Sequence, residues 1–246
     1  WKESIFQGAI QSMQIWSRAL DAAEVASLYT LGGACVALPS LSPTVTDAPT
    51  LSALPTPAPT RDLRLALDHS LCFDQCVLDD QSGNGLDATL MEGATCTPGE
   101  GIVFDGVDDY VHLEDQPFGG GDMTIAVYAR WDALNMWSAL CSFADGYQDD
   151  EIFLGAYSSA ATLGFQIFVG SSSKLTGAQG VIVLGAWTHV VGTVLGTFDA
   201  RGQPQATTMT LYQDGVEISS NTVGQAPAAM TRANHRLGRS YYNSYG

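Results

Sequence analysis

The amino-acid sequence predicts an all-β protein: an antiparallel sandwich with one short helix and one Pro/Thr/Ser-rich linker. Three observations lead there. Apolar residues alternate with polar or small ones in short runs through residues 62–246, Gly-rich turns separate the runs, and no helical period of comparable length interrupts them. The length of 246 residues and the 46% hydrophobic content suit one sandwich domain of ordinary size plus a linker.

In chain order, the first element is a strand in which Ile10, Met13 and Ile15 mix with Gln and Ser. Residues 21–31 follow as a short helix. Asp21 is a good N-cap, Glu24 completes a capping box, Val25, Leu28 and Leu31 fall at helical spacing, and Gly32 and Gly33 stop the helix. Residues 36–61 hold six of the ten prolines among many Ser and Thr. Proline fixes φ and removes a donor, so this stretch reads as an extended spacer. The same composition is that of an O-glycosylated stalk, which makes Thr44, Thr46, Thr50, Thr56 and Thr60 candidate attachment sites; an unmodified linker explains it as well. No Asn-x-Ser/Thr sequon occurs.

Beyond the linker the period is two. Met123, Ile125 and Val127 alternate with Thr124, Ala126 and Tyr128, and Leu163, Phe165 and Ile167 form a similar run. Residues Trp187 to Val191 make another strand. Met209 and Leu211, then Asp214-Gly215, then Val216-Glu217-Ile218 read as a hairpin, because a tight primed turn needs positive φ.

The formal charge is −16, with only 10 Lys and Arg. Binding a polyanion depends on Lys and Arg releasing counterions, so a nucleic-acid partner is not expected, and repulsion argues against an anionic membrane surface. No uninterrupted apolar run is long enough to span a bilayer. Trp1 is not preceded by a charged segment with an apolar core, so any export signal lies outside this sequence.

Four of the five cysteines, Cys35, Cys72, Cys76 and Cys96, are disulfide candidates for an exported protein, with three connectivities open. The Cys72/Cys76 spacing leaves zinc as an alternative. Cys141 lies in an apolar run and reads as a buried free thiol. The four histidines are scattered and read as structural. Asp149-Asp150-Glu151 is contiguous, so its side chains alternate between faces, and it reads as a solvated loop. Tyr147, Tyr157, Tyr241, Tyr242 and Tyr245 lie in loops or strand ends, where aromatics stack on sugars or anchor interfaces. The Tyr-rich tail at 241–245 sits at the junction between the two ends, which favours an interface over a sugar site.

The run from Gly101 to Val111, GIVFDGVDDYV, resembles the laminin-G-like, concanavalin A-like jelly-roll superfamily. Asp80-Gln81-Ser82-Gly83-Asn84-Gly85 is similar to its first polar turn, Ala186 to Val191 to its central strand, Leu211 to Gly215 to its hairpin, and Arg236 to Arg239 to the strand that follows. That family closes with a strand and short helix resembling Phe6 to Ile10 and Arg18 to Tyr29. The resemblance implies that the two ends are parts of one jelly roll in reversed order. Residues 1–35 are then a closing strand and helix, 36–61 the linker, and 62–246 a jelly roll lacking its last strand. A sandwich without that strand leaves ladder groups unpaired and its core open. The vacancy is filled within one chain, by a neighbouring copy, or by an adjoining repeat of a tandem array, and Phe6, Ile10, Met13, Ile15, Trp16, Tyr241 and Tyr242 are the candidate assembly residues.

The family also implies a structural calcium, with Asp80, Asn84, Asp105 and Asp108 as candidate oxygen ligands. Gln11 or Ser12 stands where the closing strand of the family carries an acid, which weakens the site. The Glu-x-Asp-x-x-Glu signature of the glycan-cleaving relatives is absent. The resulting expectation is a non-enzymatic structural repeat of an extracellular or cell-surface filament, assembled head-to-tail from copies of itself. A carbohydrate-binding or adhesion module is the alternative.

Overall fold

The computed structural model describes residues 5–32, 63–68, 78–80, 82, 84–85, 87–145, 150–157, 161–170, 172–198 and 204–240. Seventeen strands and one helix lie among them. In chain order they begin with β1 (Gln7–Trp16), α1 (Ala22–Gly32), β2 (Leu63–Asp68), β3 (Ala88–Met91), β4 (Thr95–Thr97) and β5 (Gly101–Asp105). Then come β6 (Tyr110–Leu113), β7 (Gln116–Phe118), β8 (Met123–Trp131), β9 (Ala139–Ala144), β10 (Ile152–Ala156) and β11 (Leu163–Val169). The chain continues with β12 (Ser172–Ala178), β13 (Trp187–Phe198), β14 (Pro204–Gln213), β15 (Val216–Val223), β16 (Met230–Arg232) and β17 (Asn234–Leu237).

Two antiparallel sheets form a jelly-roll sandwich. One has the order β15-β14-β13-β8-β1-β5-β4, with β2 also paired to β1; the other runs β12-β11-β10-β9-β17-β6-β3. A small β16/β7 ribbon stands apart from both. The inward residues of the alternating runs meet between the sheets: Ile125 and Val127 from β8, Val190 and Val194 from β13, Phe165 and Ile167 from β11, and Leu154 from β10 share one buried cluster. The Asp214-Gly215 turn has φ of 51° and 80°, the conformation the hairpin reading requires.

β1 lies inside the eight-stranded sheet. One flank pairs with β8 along nearly its whole length, and the other pairs with β5 at Gln7–Ile10 and with β2 at Ser12–Trp16. A bulge between Ile10 and Ser12 resets the alternation, so that Ile10, Met13 and Ile15 all face the core at 1% exposure.

The helix forms where the capping box predicts it. Glu24 N–H donates to Asp21 Oδ1 at 2.9 Å, and Asp21 N–H donates to Glu24 Oε2 at 3.0 Å. α1 packs on the outer face of the eight-stranded sheet, where Leu20 and Val25 bury against Trp16, Ala126, Val191 and Tyr212.

Candidate functional site

The two ends of the described chain meet. Phe6 N–H donates to Gly238 O at 2.8 Å, Gly238 N–H donates to Leu140 O at 3.1 Å, and Ile5 bridges Arg239. The Phe6 ring is fully buried, edge-on to Phe104 at 5.5 Å and to Trp131 at 5.9 Å. Four of the expected assembly residues, Phe6, Ile10, Met13 and Ile15, are therefore part of the main core of this chain. Trp16 is buried in the second cluster beneath α1, while Tyr241 and Tyr242 lie outside the described residues. Thr124 ties the junction of strand and helix: its Oγ1 accepts Leu20 N–H at 2.9 Å and donates to Arg18 O at 2.8 Å. Arg18 grips Glu24 with two bonds of 2.7 Å, and the guanidinium holds that carboxyl below its usual range.

The expected calcium ligands fall into separate turns. Asp80 accepts Ser82 N–H at 2.9 Å and Ser82 Oγ–H at 2.6 Å, and Ser82 Oγ in turn accepts Asn84 Nδ2–H at 2.8 Å. This network is the side-chain chemistry of a polar turn. Asp105 and Asp108 sit in the β5–β6 turn with Asp109, and oxygens of these three lie within 4.8 Å of one another, without Asp80. Asp109 Oδ2 accepts Asp105 N–H at 2.7 Å, and Asp105 Oδ1 accepts Val107 N–H at 2.7 Å. Burial, with the Asp105 and Asp108 charges adding to it, raises the Asp109 carboxyl above its usual range. Asp109 was missed from sequence, although it shares the inward period of Val111 and Leu113.

Cys96 is half-buried in β4 and disulfide-bonded; Cys35, Cys72 and Cys76 lie outside the described residues, as do linker residues 36–61 with Thr44, Thr46, Thr50, Thr56 and Thr60. Cys141 is a buried free thiol, and burial raises it far above the ordinary range.

One expectation is overturned. Glu151 is not solvated but 2% exposed. Its Oε1 accepts Ser142 Oγ–H at 2.5 Å and Ser240 Oγ–H at 3.2 Å, and burial raises its carboxyl. Asp150 is half-buried, and its main-chain oxygen accepts Arg232 Nε–H at 2.7 Å. The Arg232 guanidinium is itself fully buried and pushed down to about 10 by desolvation.

His189 and His235 are buried, and desolvation pushes both down to about 4. Below the ordinary imidazole value the unfolded chain binds more protons than the folded one, so stability is lost as pH falls from about 6.5 to about 4. Each residue contributes up to roughly 3 kcal/mol of that loss. Glu151 acts oppositely, since a raised carboxyl stabilises below its unfolded value and that contribution fades as pH rises. Urea melts from pH 7 to pH 4 are expected to show falling stability, with a shallower fall in His235→Gln. Identical slopes for variant and parent would contradict the assignment.

A groove of about 520 Å³ runs where the outermost strands β12 and β15 of the two sheets adjoin, lined by Tyr157, Thr162, Thr176, Gln179, Ser219, Ser220 and Asn221 among others. Thr176 and Ser219 hydroxyls meet at 2.8 Å across it, and Asn221 Nδ2–H donates to Leu175 O at 3.1 Å.

Residues 105–246, more than half of the chain, match a laminin G model described as the concanavalin A-like lectin/glucanases superfamily. The chain belongs to that superfamily. Among curated proteins, none matches it. The fold and the family together point to a binding or structural module. β1 and α1 lie outside the matched residues.

Proposed function

We propose that this chain is a non-catalytic structural module of an extracellular or cell-surface assembly, closed by the β1–α1 arm. The observation that carries this reading is the seating of β1 between β5 and β8, with Phe6 bonded to Gly238 near the opposite end of the chain. An interior strand supplies two ladders and several core side chains at once, so the sandwich is incomplete without it. The arm joins the rest of the domain through the Pro/Thr/Ser-rich residues 36–61. An extended linker of that composition lets one strand serve its own sheet or the vacant sheet of the next copy, as in donor-strand pairing. Donation from each copy to the next, rather than reciprocal exchange between two, is heterologous and propagates head-to-tail into open filaments or rings. O-linked glycans on the linker threonines and disulfides among Cys35, Cys72, Cys76 and Cys96 belong to the same extracellular reading.

Light scattering after size exclusion, with negative-stain imaging of the same fractions, tests it. Elongated particles whose mass is a multiple of 26.0 kDa are expected. Compact single-chain globules at every concentration would overturn the assembly reading.

A structural calcium at the β5–β6 turn fits the same module. The carboxylates of Asp105, Asp108 and the partly desolvated Asp109 repel one another, and a hard cation would relieve that repulsion. Titration calorimetry is expected to show heat with calcium and a higher Tm, both reduced in Asp108→Asn; no heat and no change in Tm removes the ion.

The second reading is a carbohydrate-binding module. The uncharged lining of the β12/β15 groove, in which hydroxyls and amides stand beside Leu175 with the Tyr157 ring at its side, favours it. Saturable binding on a glycan array, lost in Tyr157→Ala, would support this module over the assembly.

A further inference from the structure

α1 is the outermost part of the closing arm, and its two halves rest on different ground. The first half is fastened by the capping box, the Arg18–Glu24 pair and the apolar contacts of Leu20 and Val25. The second half packs Leu28 against the same apolar cluster and otherwise lies over polar and aromatic groups. Tyr29 stacks on the His189 imidazole with ring centroids 6.1 Å apart and planes 24° from parallel. Gly215, in the β14–β15 turn, faces Ala26 and Tyr29 closely enough that an added Cβ would lie 3.2–3.4 Å from them.

His189 is 7% exposed, and its Nδ1 is buried with no hydrogen-bond partner. Protonating the imidazole would place a charge and a new N–H donor where nothing accepts it. In the neutral ring Nδ1 bonds to none of the groups around it, which are, element by element, as follows. α1 offers Tyr29, and β8 offers Tyr128, the cross-strand partner of His189. The β14–β15 turn offers the Asp214 carboxylate, whose Oδ1 accepts the main-chain N–H of His189 at 2.9 Å. Asp21 and Glu217 bear on Tyr212, on the neighbouring strand β14. Movement of Tyr29 off the ring would open the new donor to water.

We propose that the Tyr29–His189 contact is an acid-released latch: it holds the C-terminal half of α1 on the sheet while His189 is neutral and lets go when His189 is protonated. The latch rests on the reading of β1–α1 as the closing arm and adds its regulation, because the half that lifts is the half leading into the linker. Desolvation of His189 sets the range, near pH 4, in which release occurs.

Nuclear magnetic resonance of the labelled full chain from pH 7 to pH 3.5 tests this. The His189 ring and the amides of Ala26, Leu28 and Tyr29 are expected to shift together with one midpoint near 4, before the Ile125 amide in the core responds. In Tyr29→Ala, His189 is expected to titrate at least one pH unit higher, closer to an ordinary imidazole. In His189→Gln, the α1 amides are expected to hold to lower pH than in the parent. Release of α1 at the same pH in His189→Gln, or an ordinary midpoint for His189 in the parent, would overturn the latch. Particle mass at pH 7 reads the assembly separately, so the latch and the assembly can fail independently.

Discussion

Met13→Asp is expected to leave the chain unfolded or insoluble at 25 °C. Met13 is 1% exposed, in the middle of β1, between Leu67 of β2 and Val127 of β8 in register. Losing a buried side chain of that size removes about 2–3 kcal/mol of apolar burial. A carboxyl put in its place must stay charged without a partner or take up a proton, and either costs several kcal/mol more. The sum approaches the whole stability of a typical domain, about 5–15 kcal/mol. Circular dichroism and soluble yield check it, with Gln7→Lys as the control at an exposed position on the same strand. A folded Met13→Asp with an unchanged melt would mean that β1 does not line the core.

Gly8→Ala is the second large effect, and it acts through the backbone. At Gly8 the main chain of β1 runs so close to β8 that an added Cβ would collide with Arg130 O, and it would also lie 2.8 Å from the Phe6 ring. Neither neighbour yields cheaply, since one is a ladder carbonyl and the other a fully buried aromatic. A loss of about 3 kcal/mol is expected, at the upper end of overpacking costs. Thermal melts would show a Tm several degrees lower, whereas Gly121→Ala, with nothing within 4 Å of its Cβ, should melt within about 2 °C of the parent. Equal melts for Gly8→Ala and the parent would contradict the close approach.

The contrast between these two sites and the rest of the sheet shows what the sequence could disclose. The Asp214-Gly215 hairpin and the Asp21/Glu24 capping box were legible because each depends on residues within a few positions of one another, and the structure forms both. The strands of the second half were legible from period two. In β1 the inward residues fall at 10, 13 and 15, a broken period that hides the bulge, and the same bulge leaves Gln11 only 3% exposed, with its Nε2–H donating to Gly99 O at 3.1 Å. Nothing local announces that β1 lies between β5 and β8, since those partners are about ninety or more residues away in the chain.

The candidate sites were less legible for the same reason. Asp105 and Asp108 were read together because they share one turn, but pairing them with Asp80 assumed a juxtaposition that only tertiary structure decides, and Asp109 completes the observed cluster instead. Glu151 looked solvated beside two aspartates; it is buried and bonded by Ser142 and Ser240, the latter 89 positions away. His189 gave no sign of the Tyr29 ring stacked on it, because the two residues are 160 positions apart in the chain.

Native-state hydrogen exchange of the full chain tests the central claim, that β1 completes the sandwich as an interior strand. The amides of Ala9 to Trp16 are expected to exchange only through global unfolding, with the same protection as Ile125 to Ala129 of β8. Exchange of the β1 amides orders of magnitude faster than those of β8, in a chain whose β8 stays protected, would show that the sheet is whole without the N-terminal strand.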